Sequence, residues 1–193
     1  MKMSVSRGIV AAHSKVHHSK VHPEGHSDLK LVASFDIGEK NFAYAIGDKE
    51  SIKVWKYHDV VRKKNQTVVE SCEIISKLLE DEPLLPMVGQ VIIEQQMRAN
   101  VRAQRLSQHL WTWFSIKLPN SRPRFVPSHL KTQHFIGKNK LLPKERKKWA
   151  IVKTEEILTK REDLKSLSYL RSLEKKDDVC DSFLQLLAYV SSP

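Results

Sequence analysis

The sequence has few cysteines, few glycines and no long apolar run, and each shortage excludes a class of protein. Its two cysteines, Cys72 and Cys180, lie far apart without metal-ligand spacing, so we expect no disulfide framework and a reducing compartment. No apolar stretch reaches the roughly 18 residues that span a bilayer, so we expect a soluble protein with no membrane partner. Six glycines and no duplicated half argue against a two-lobed nucleotide-binding kinase or ATPase. We therefore expect no organic cofactor.

Acidic residues are too few to balance the basic ones. There are 33 Lys and Arg against 22 Asp and Glu, a formal net charge of +11. The excess is concentrated between residues 117 and 153, where Glu145 is the single acid and the basic residues are Lys117, Arg122, Arg124, Lys131, Lys138, Lys140, Lys144, Arg146, Lys147, Lys148 and Lys153. A solvated surface normally mixes charges of both signs, whereas charge of one sign favours a polyanionic partner. This distribution predicts nucleic-acid binding.

Residues 1–30 are basic and rich in histidine, and they show no convincing apolar period. We interpret them as a disordered N-terminal arm, followed by a single catalytic domain over residues 31–193. A metal-binding tract of histidines at positions 13, 17, 18, 22 and 26 is one alternative, but the tract has no cysteine partners or rigid scaffold. A mitochondrial transit peptide is another, because no acid precedes Glu24, yet the arm has only one arginine, Arg7.

From residue 31 onward, apolar periodicity predicts an alternation of strands and helices. The predicted strands are Leu31 to Ile37, Asn41 to Ile46, Ser51 to Tyr57, Val91 to Ile93 and Arg124 to Val126, and the predicted helices are Thr67 to Leu79, Met97 to Ile116, Pro143 to Lys160 and Asp177 to Val190. The helix from Pro143 presents Trp149, Val152 and Leu158 among its lysines. This order is typical of an α/β ribonuclease H-like fold, a mixed five-stranded sheet with flanking helices.

Carboxylates interrupt three of these apolar elements. Asp36 ends Leu-Val-Ala-Ser-Phe-Asp, and Glu94 ends Val-Ile-Ile-Glu; the carboxyl ends of strands are where ligands bind in open sheets. Asp178 and Asp181 share one face of the last helix, with Asp177 as an alternative to Asp178. Gathered carboxylates repel one another unless cations separate them, and magnesium prefers such oxygen ligands. We therefore predict two magnesium ions per site, the arrangement that hydrolyses phosphodiesters.

A simpler interpretation exists for each acid taken alone. Asp36 would cap a turn, Glu94 would pair with a lysine, and the aspartates of the last helix would solvate its N-terminus, where acids are favoured. The four acids in this order favour the metal site.

The same residues carry a family resemblance. Phe35-Asp36-Ile37-Gly38-Glu39-Lys40-Asn41, Ile92-Ile93-Glu94-Gln95-Gln96 and Lys175-Lys176-Asp177-Asp178-Val179-Cys180-Asp181-Ser182-Phe183 resemble the motifs of poxvirus Holliday junction resolvases, relatives of bacterial RuvC and the fungal mitochondrial resolvases. The resemblance spans about residues 31 to 190. It implies that Asp36, Glu94, Asp178 and Asp181 hold Mg²⁺, for which Mn²⁺ can substitute, in a homodimer that nicks opposing strands of a four-way DNA junction. The extended N-terminal arm departs from shorter members of the family.

The resemblance also implies a biological setting. Enzymes of this kind resolve replicated viral concatemers in the host cytoplasm, which we favour over a mitochondrial location. Two alternatives stay open: a related nuclease that acts on flaps, other branched DNA or structured RNA, and a binding module that has lost cleavage. The second has no support, because every acidic position is occupied.

The RuvC pattern places a basic segment after the fifth strand, and its lysines approach the scissile phosphate. Lys131 and the pair Lys147-Lys148 resemble this segment; we assign Lys148 a catalytic role, although the pair has no unique alignment. The predicted DNA-binding residues are Arg98, Arg102, Lys131, Lys138, Lys140, Lys147 and Lys148. Backbone contact without chemistry is the alternative for the lysines. Trp111, Trp113 and Phe114 would either stack on junction bases or, as such clusters more often do, form core or dimer interface.

Overall fold

The computed structural model describes residues 31–137 and 141–192, which form a five-stranded sheet with helices on both faces. The strands are β1 (Leu31–Ile37), β2 (Asn41–Gly47), β3 (Ile52–Asp59), β4 (Val88–Glu94) and β5 (Arg124–Val126), and the helices are α1 (Val68–Glu80), α2 (Val101–Lys117), α3 (Leu130–Ile136), α4 (Pro143–Lys160), α5 (Leu164–Ser172) and α6 (Asp177–Val190). The predicted N-terminal arm and the predicted DNA-binding residues Lys138 and Lys140 lie outside the described residues.

The sheet is mixed, with strand order β3-β2-β1-β4-β5. β1 pairs antiparallel with β2 and β2 with β3, whereas β1 pairs parallel with β4 and β4 with β5. In the parallel pair, Phe35 of β1 lies opposite Ile93 of β4. The next residue on each strand is acidic, so the register brings Asp36 and Glu94 to the same edge of the sheet.

Alternation along the strands gives the two faces of the sheet separate cores. Ala33, Phe35 and Ile37 of β1 pack in the cluster that includes α1 and α2. Val32 packs on the other face, in the cluster formed with α4, α5 and α6. Because side chains two residues apart point to the same face, Asp36 shares this second face with Val32. The acids at the sheet edge therefore face α6.

Two side-chain hydrogen bonds fix α6 against the sheet. The indole nitrogen of Trp55 on β3 donates to the carbonyl oxygen of Val179 at 2.8 Å, and the buried amide of Gln185 donates to Ser34 Oγ at 3.1 Å. Phe183 and most other residues along α6 are buried. The helix is thus held along its length, and its N-terminal acids are placed over the end of β1.

The predicted fold class is confirmed, and the bounds of β1, β5, α4 and α6 are those expected from the sequence. Two short helices, α3 and α5, were not predicted. The predicted apolar face of α4 was partly wrong: Ala150 and Leu158 are buried and Trp149 is half-buried, but Val152 is 55% exposed. The buried positions Ala150, Thr154 and Leu158 follow a strict four-residue spacing.

The two cysteines form no disulfide with each other. Cys72 and Cys180 are both free thiols, in agreement with the prediction of no disulfide framework. Among the helices of residues 31–137 and 141–192, none has both the length and the apolar character needed to cross a bilayer.

Candidate active site

Carboxylates from three elements meet at the edge of the sheet around one lysine. Lys131 Nζ on α3 lies 2.7 Å from Glu94 Oε2 at the end of β4 and 3.2 Å from Asp181 Oδ2 on α6. Asp36 at the end of β1 is close enough for its charge to interact with Glu94, Lys131, Asp181 and Asp178. The structure therefore brings the four predicted acids into one electrostatic cluster, with a cation inside it.

The pKa values of this cluster reflect burial and mutual repulsion. Burial, followed by the negative charge of Glu94, raises the pKa of Asp36 well above its ordinary value. Burial likewise raises the pKa of Asp181 to about 6, although Lys131 opposes this shift. Burial alone would lower the pKa of Lys131, but the charges of Asp181, Glu94 and Asp36 raise it above its ordinary value. The cluster thus holds excess negative charge that a single ammonium only partly offsets.

Asp177 and Asp178 have different partners. Asp178 Oδ2 accepts hydrogen bonds from Asn41 Nδ2 at 2.8 Å and from Lys175 Nζ at 2.6 Å. Asp177 Oδ2 instead pairs with Lys147 Nζ at 2.6 Å; burial would raise the pKa of Asp177, but Lys147 holds it below its ordinary value. Because the charge of Asp178 acts on both Asp36 and Asp181, Asp178 is the better candidate for the fourth member of the cluster.

A cleft of about 160 Å³ opens onto the cluster. Glu94 and Asp181, with Lys131 between them, line one side, and the other lining residues are Ser128, Thr132, Arg146, Lys147 and Trp149. Three of these wall residues belong to α4, the helix that carries much of the one-signed charge. The carboxylates are therefore reached through a basic entrance, which suits a substrate with phosphate groups.

Some of the predicted cationic residues lie at the cleft, and others lie away from it. Lys131 and Lys147 lie at the cleft, whereas Lys148 is exposed and does not line it, so the structure brings Lys147 rather than Lys148 to the acids. Arg98 is exposed in the segment between β4 and α2. The Arg102 guanidinium donates to the carbonyl oxygens of Glu39, Gln66 and Thr67 and to Ser71 Oγ. Arg102 thus joins α2 to the β1–β2 turn and the start of α1.

The aromatic residues of α2 divide between core and surface. Phe114 is fully buried, and Trp113 packs against the same core. Trp111 is 36% exposed, and its indole nitrogen donates to the carbonyl oxygen of Pro123 at 3.2 Å. Phe114 therefore has the core role that the sequence allowed as the commoner alternative.

The donor set fits divalent cations such as Mg²⁺, which take oxygen ligands. Among the described residues nothing donates a hydrogen bond to Asp36, so its oxygens are available. As the side chains stand, no three Asp, Glu, His or Cys side chains of that part of the chain form a ready metal site. Lys131 accounts for this in part, because it occupies carboxylate oxygens of Glu94 and Asp181. The lysine pairing that the simpler interpretation predicted for Glu94 is also present.

Several residues at the site escaped the sequence-based assignment. Lys131 was predicted as a DNA contact and as part of the segment whose lysines approach the scissile phosphate, but its pairing with Glu94 and Asp181 was not predicted. The helix α3 that carries it was not predicted either. Asn41 and Lys175 both fall within the quoted motifs without an assigned role. The spacing of Lys175, three residues before Asp178 near the start of α6, was a usable signal for a local ion pair.

Two uncharacterized proteins of iridescent viruses are similar in sequence to this chain. Protein 170L of invertebrate iridescent virus 6 is 28% identical, with 82% of this chain and 87% of that protein covered. Protein 97L of invertebrate iridescent virus 3 is 26% identical, with coverage of 82% and 98%. No protein-family profile matches the chain. These relatives come from iridescent viruses, so a poxvirus origin stays a prediction.

Solved structures of junction resolvases are similar in fold. Thermus thermophilus RuvC superimposes with a TM-score of 0.57 at 9% identity, covering 82% of this chain and 92% of that one. The yeast mitochondrial Holliday junction resolvase gives 0.55 at 17% identity, covering 84% and 79%. RuvC in complex with a Holliday junction substrate gives 0.56 at 13% identity, covering 82% and 92%. The chain therefore has a RuvC-like fold.

The raised pKa of Asp36 predicts that this acid opposes folding of the metal-free protein. An acid whose pKa is raised by folding is unfavourable once ionised, and this effect vanishes below its unfolded pKa, about 3.9 for Asp. We expect Asp36→Asn to increase the free energy of unfolding by about 0.5–2 kcal/mol at pH 7, and the gain to shrink toward pH 4. Urea unfolding in EDTA at both pH values measures this.

Asp177→Asn, on α6 beside the cluster, is the matched control. The pKa of Asp177 is lowered and its carboxylate pairs with Lys147, so this substitution should decrease stability at pH 7. If Asp36→Asn lost as much stability as Asp177→Asn, the conclusion that Asp36 opposes folding would be contradicted.

Proposed function

We propose that the chain is a metal-dependent, structure-selective endodeoxyribonuclease that resolves four-way DNA junctions. The observation that carries the proposal is the cluster of Asp36, Glu94 and Asp181 around Lys131 at the edge of a RuvC-like sheet. The fold alone supports a junction-resolving nuclease only by analogy. The chemistry of the cluster adds an independent reason, because acids gathered beneath a basic entrance match phosphodiester hydrolysis.

The residues have separable roles in this proposal. Asp36, Glu94, Asp178 and Asp181 would hold the metal ions, and Asn41 would orient Asp178 through its 2.8 Å hydrogen bond. When bound, magnesium supplies Lewis-acid stabilisation for the attacking and leaving oxygens of the phosphodiester. Arg146 and Lys147 at the cleft would draw in and position the DNA backbone. Lys148, exposed one residue further along α4, would contact phosphate outside the cleft rather than act in catalysis.

Junction selectivity would come from two copies of this site. One domain of this type supplies one acidic cluster, whereas resolving a junction requires cuts in two opposing strands. A two-fold homodimer is the commonest way to pair identical sites. Branched DNA would then be preferred because its diverging arms let both basic entrances contact phosphates at once. RuvC bound to a Holliday junction substrate supports this partner for the present chain.

The setting that we propose is viral. The similar proteins 170L and 97L belong to iridescent viruses, which supports a role in processing branched viral DNA. Host cytoplasm remains our proposed location, on the basis of the family resemblance.

Removing one carboxylate should separate cleavage from binding. We expect Asp36→Asn, Glu94→Gln and Asp181→Asn each to abolish cleavage of a labelled four-way junction in Mg²⁺. Each should retain junction affinity within a few fold, because the basic surface provides most of the binding free energy. Cleavage is followed on denaturing gels, and binding by gel shift in EDTA.

Glu156→Gln is the control for loss of an acid, since the Glu156 side chain is 64% exposed on α4 and pairs locally with Lys153. It should cut normally. Near-normal cleavage by all three cluster variants would exclude this active site. Faster cutting of a flap or RNA hairpin than of the four-way junction would assign the site to a related nuclease instead.

The exposed lysines of α4 should control salt dependence. Reversing charge in Lys147→Glu and Lys148→Glu should weaken junction binding and flatten the plot of log affinity against log salt by about 0.9 per lost phosphate contact. Lys53→Glu is the control: Lys53 is exposed on β3 and does not line the cleft, so the slope for this variant should match that of the native protein. Unchanged slopes in both α4 variants would place the DNA surface elsewhere.

A further inference from the structure

Lys131 is an unusual lysine because its ammonium is buried among acids. Its side chain is 8% exposed and contacts both Glu94, at 2.7 Å, and Asp181, at 3.2 Å. Lysines are rarely buried unless paired, and removing one partner from such a pair leaves an uncompensated charge. The short helix α3 delivers Lys131 to this position, and the pairing joins α3, β4 and α6 at one point.

A metal ion at the cluster would bind the same two carboxylates that Lys131 now pairs with. Magnesium binds carboxylate oxygens at about 2.0–2.1 Å in a strict octahedral arrangement. An ammonium paired with one oxygen of each carboxylate would repel the ion and leave it fewer lone pairs. A metal ion and Lys131 therefore compete for Glu94 and Asp181.

We infer that Lys131 is an internal counter-ion that stabilises the metal-free protein and competes with the divalent cation for Glu94 and Asp181. This inference rests on the proposed metal site and concerns how that site is filled. Before metal binds, the ammonium compensates the gathered carboxylates. When metal binds, Lys131 must leave them, and its charge becomes available at the cleft through which a phosphate would enter.

Lys147 provides an internal contrast. It also pairs with an acid of α6, but its side chain is 65% exposed and its partner is Asp177. Removing Lys147 deletes a positive charge near the cleft without freeing oxygens of Glu94 or Asp181. The two lysines therefore distinguish competition for the same ligands from a general electrostatic effect.

The test is the affinity for Mn²⁺, measured by isothermal titration calorimetry on the full chain without DNA. We expect Lys131→Met and Lys131→Gln to bind Mn²⁺ about tenfold more tightly than the native protein, a size common for coupling between two ligands. Lys147→Met should bind no more than a few fold more tightly. A structural role for Lys131 alone would move the affinity in the opposite direction, because a damaged site binds metal more weakly.

Thermal unfolding gives a second measurement on the same proteins. In EDTA, both Lys131 variants should melt at lower temperature than the native protein, and saturating Mn²⁺ should raise their melting temperatures by more than it raises the native one. A variant that folds only when Mn²⁺ is added would agree with the inference. Failure of both variants to fold even in Mn²⁺ would overturn it, since Lys131 would then be needed whether or not metal is bound.

The results also separate this inference from the proposed function. The proposed metal site is wrong if the native protein does not bind Mn²⁺, or if Asp36→Asn binds Mn²⁺ as tightly as the native protein does. If the native protein binds Mn²⁺ through Asp36, but the Lys131 variants bind it no more tightly than Lys147→Met, only the counter-ion role is overturned.

Discussion

Repulsion between carboxylates is the constraint on which the rest of the site depends. The parallel register of β1 and β4 brings Asp36 and Glu94 to one edge of the sheet, and α6 adds Asp181 and Asp178 above them. Burial and this mutual repulsion raise the pKa of Asp36 and Asp181, so gathering the acids is unfavourable without a cation. Lys131 supplies one from within the chain. In the proposed function, this unfavourable arrangement is retained because it would bind cations; a loss of stability at functional sites is common in enzymes.

The two faces of the sheet have different roles: one supports the fold, and the other carries the site. On one face, the aromatic cluster of Phe35, Phe42 and Tyr44 packs beneath α1 and α2 as a rigid support. On the other, hydrogen bonds from Trp55 and Gln185 join α6 to the sheet, so the helix that carries Asp178 and Asp181 is fixed over β1. The basic helix α4 packs against α6 through Ala150 and Leu158 and sets Arg146 and Lys147 at the cleft. The acidic cluster and the basic entrance are thus adjacent because α6 carries two of the acids and also packs against α4.

Periodicity in the sequence predicted the elements that bury large apolar surfaces. β1 and α6 appeared with their observed bounds, because a continuous apolar strand and a strong helical stripe leave little ambiguity. The helices α3 and α5 did not appear, since each is short and rich in polar residues. The acids could be predicted because a carboxylate at the end of an apolar strand violates its context. The resemblance placed Lys131 near the scissile phosphate, but its pairing with the acids could not be predicted, because it depends on α3 and on a contact between residues 37 apart in the chain. Lys148 was favoured over Lys147 by resemblance alone, and only the orientation of α4 distinguishes the two.

The proposed function requires paired cutting within one complex, because two such sites would be held on one junction. The most direct test is cleavage of a supercoiled plasmid that extrudes a cruciform, with linear and nicked products followed over time. We expect linear plasmid to form directly, because both strands are cut during one binding event, and a plasmid without the cruciform to stay largely intact. Release of nicked circles only, or equal cutting of the plasmid that lacks the cruciform, would contradict it.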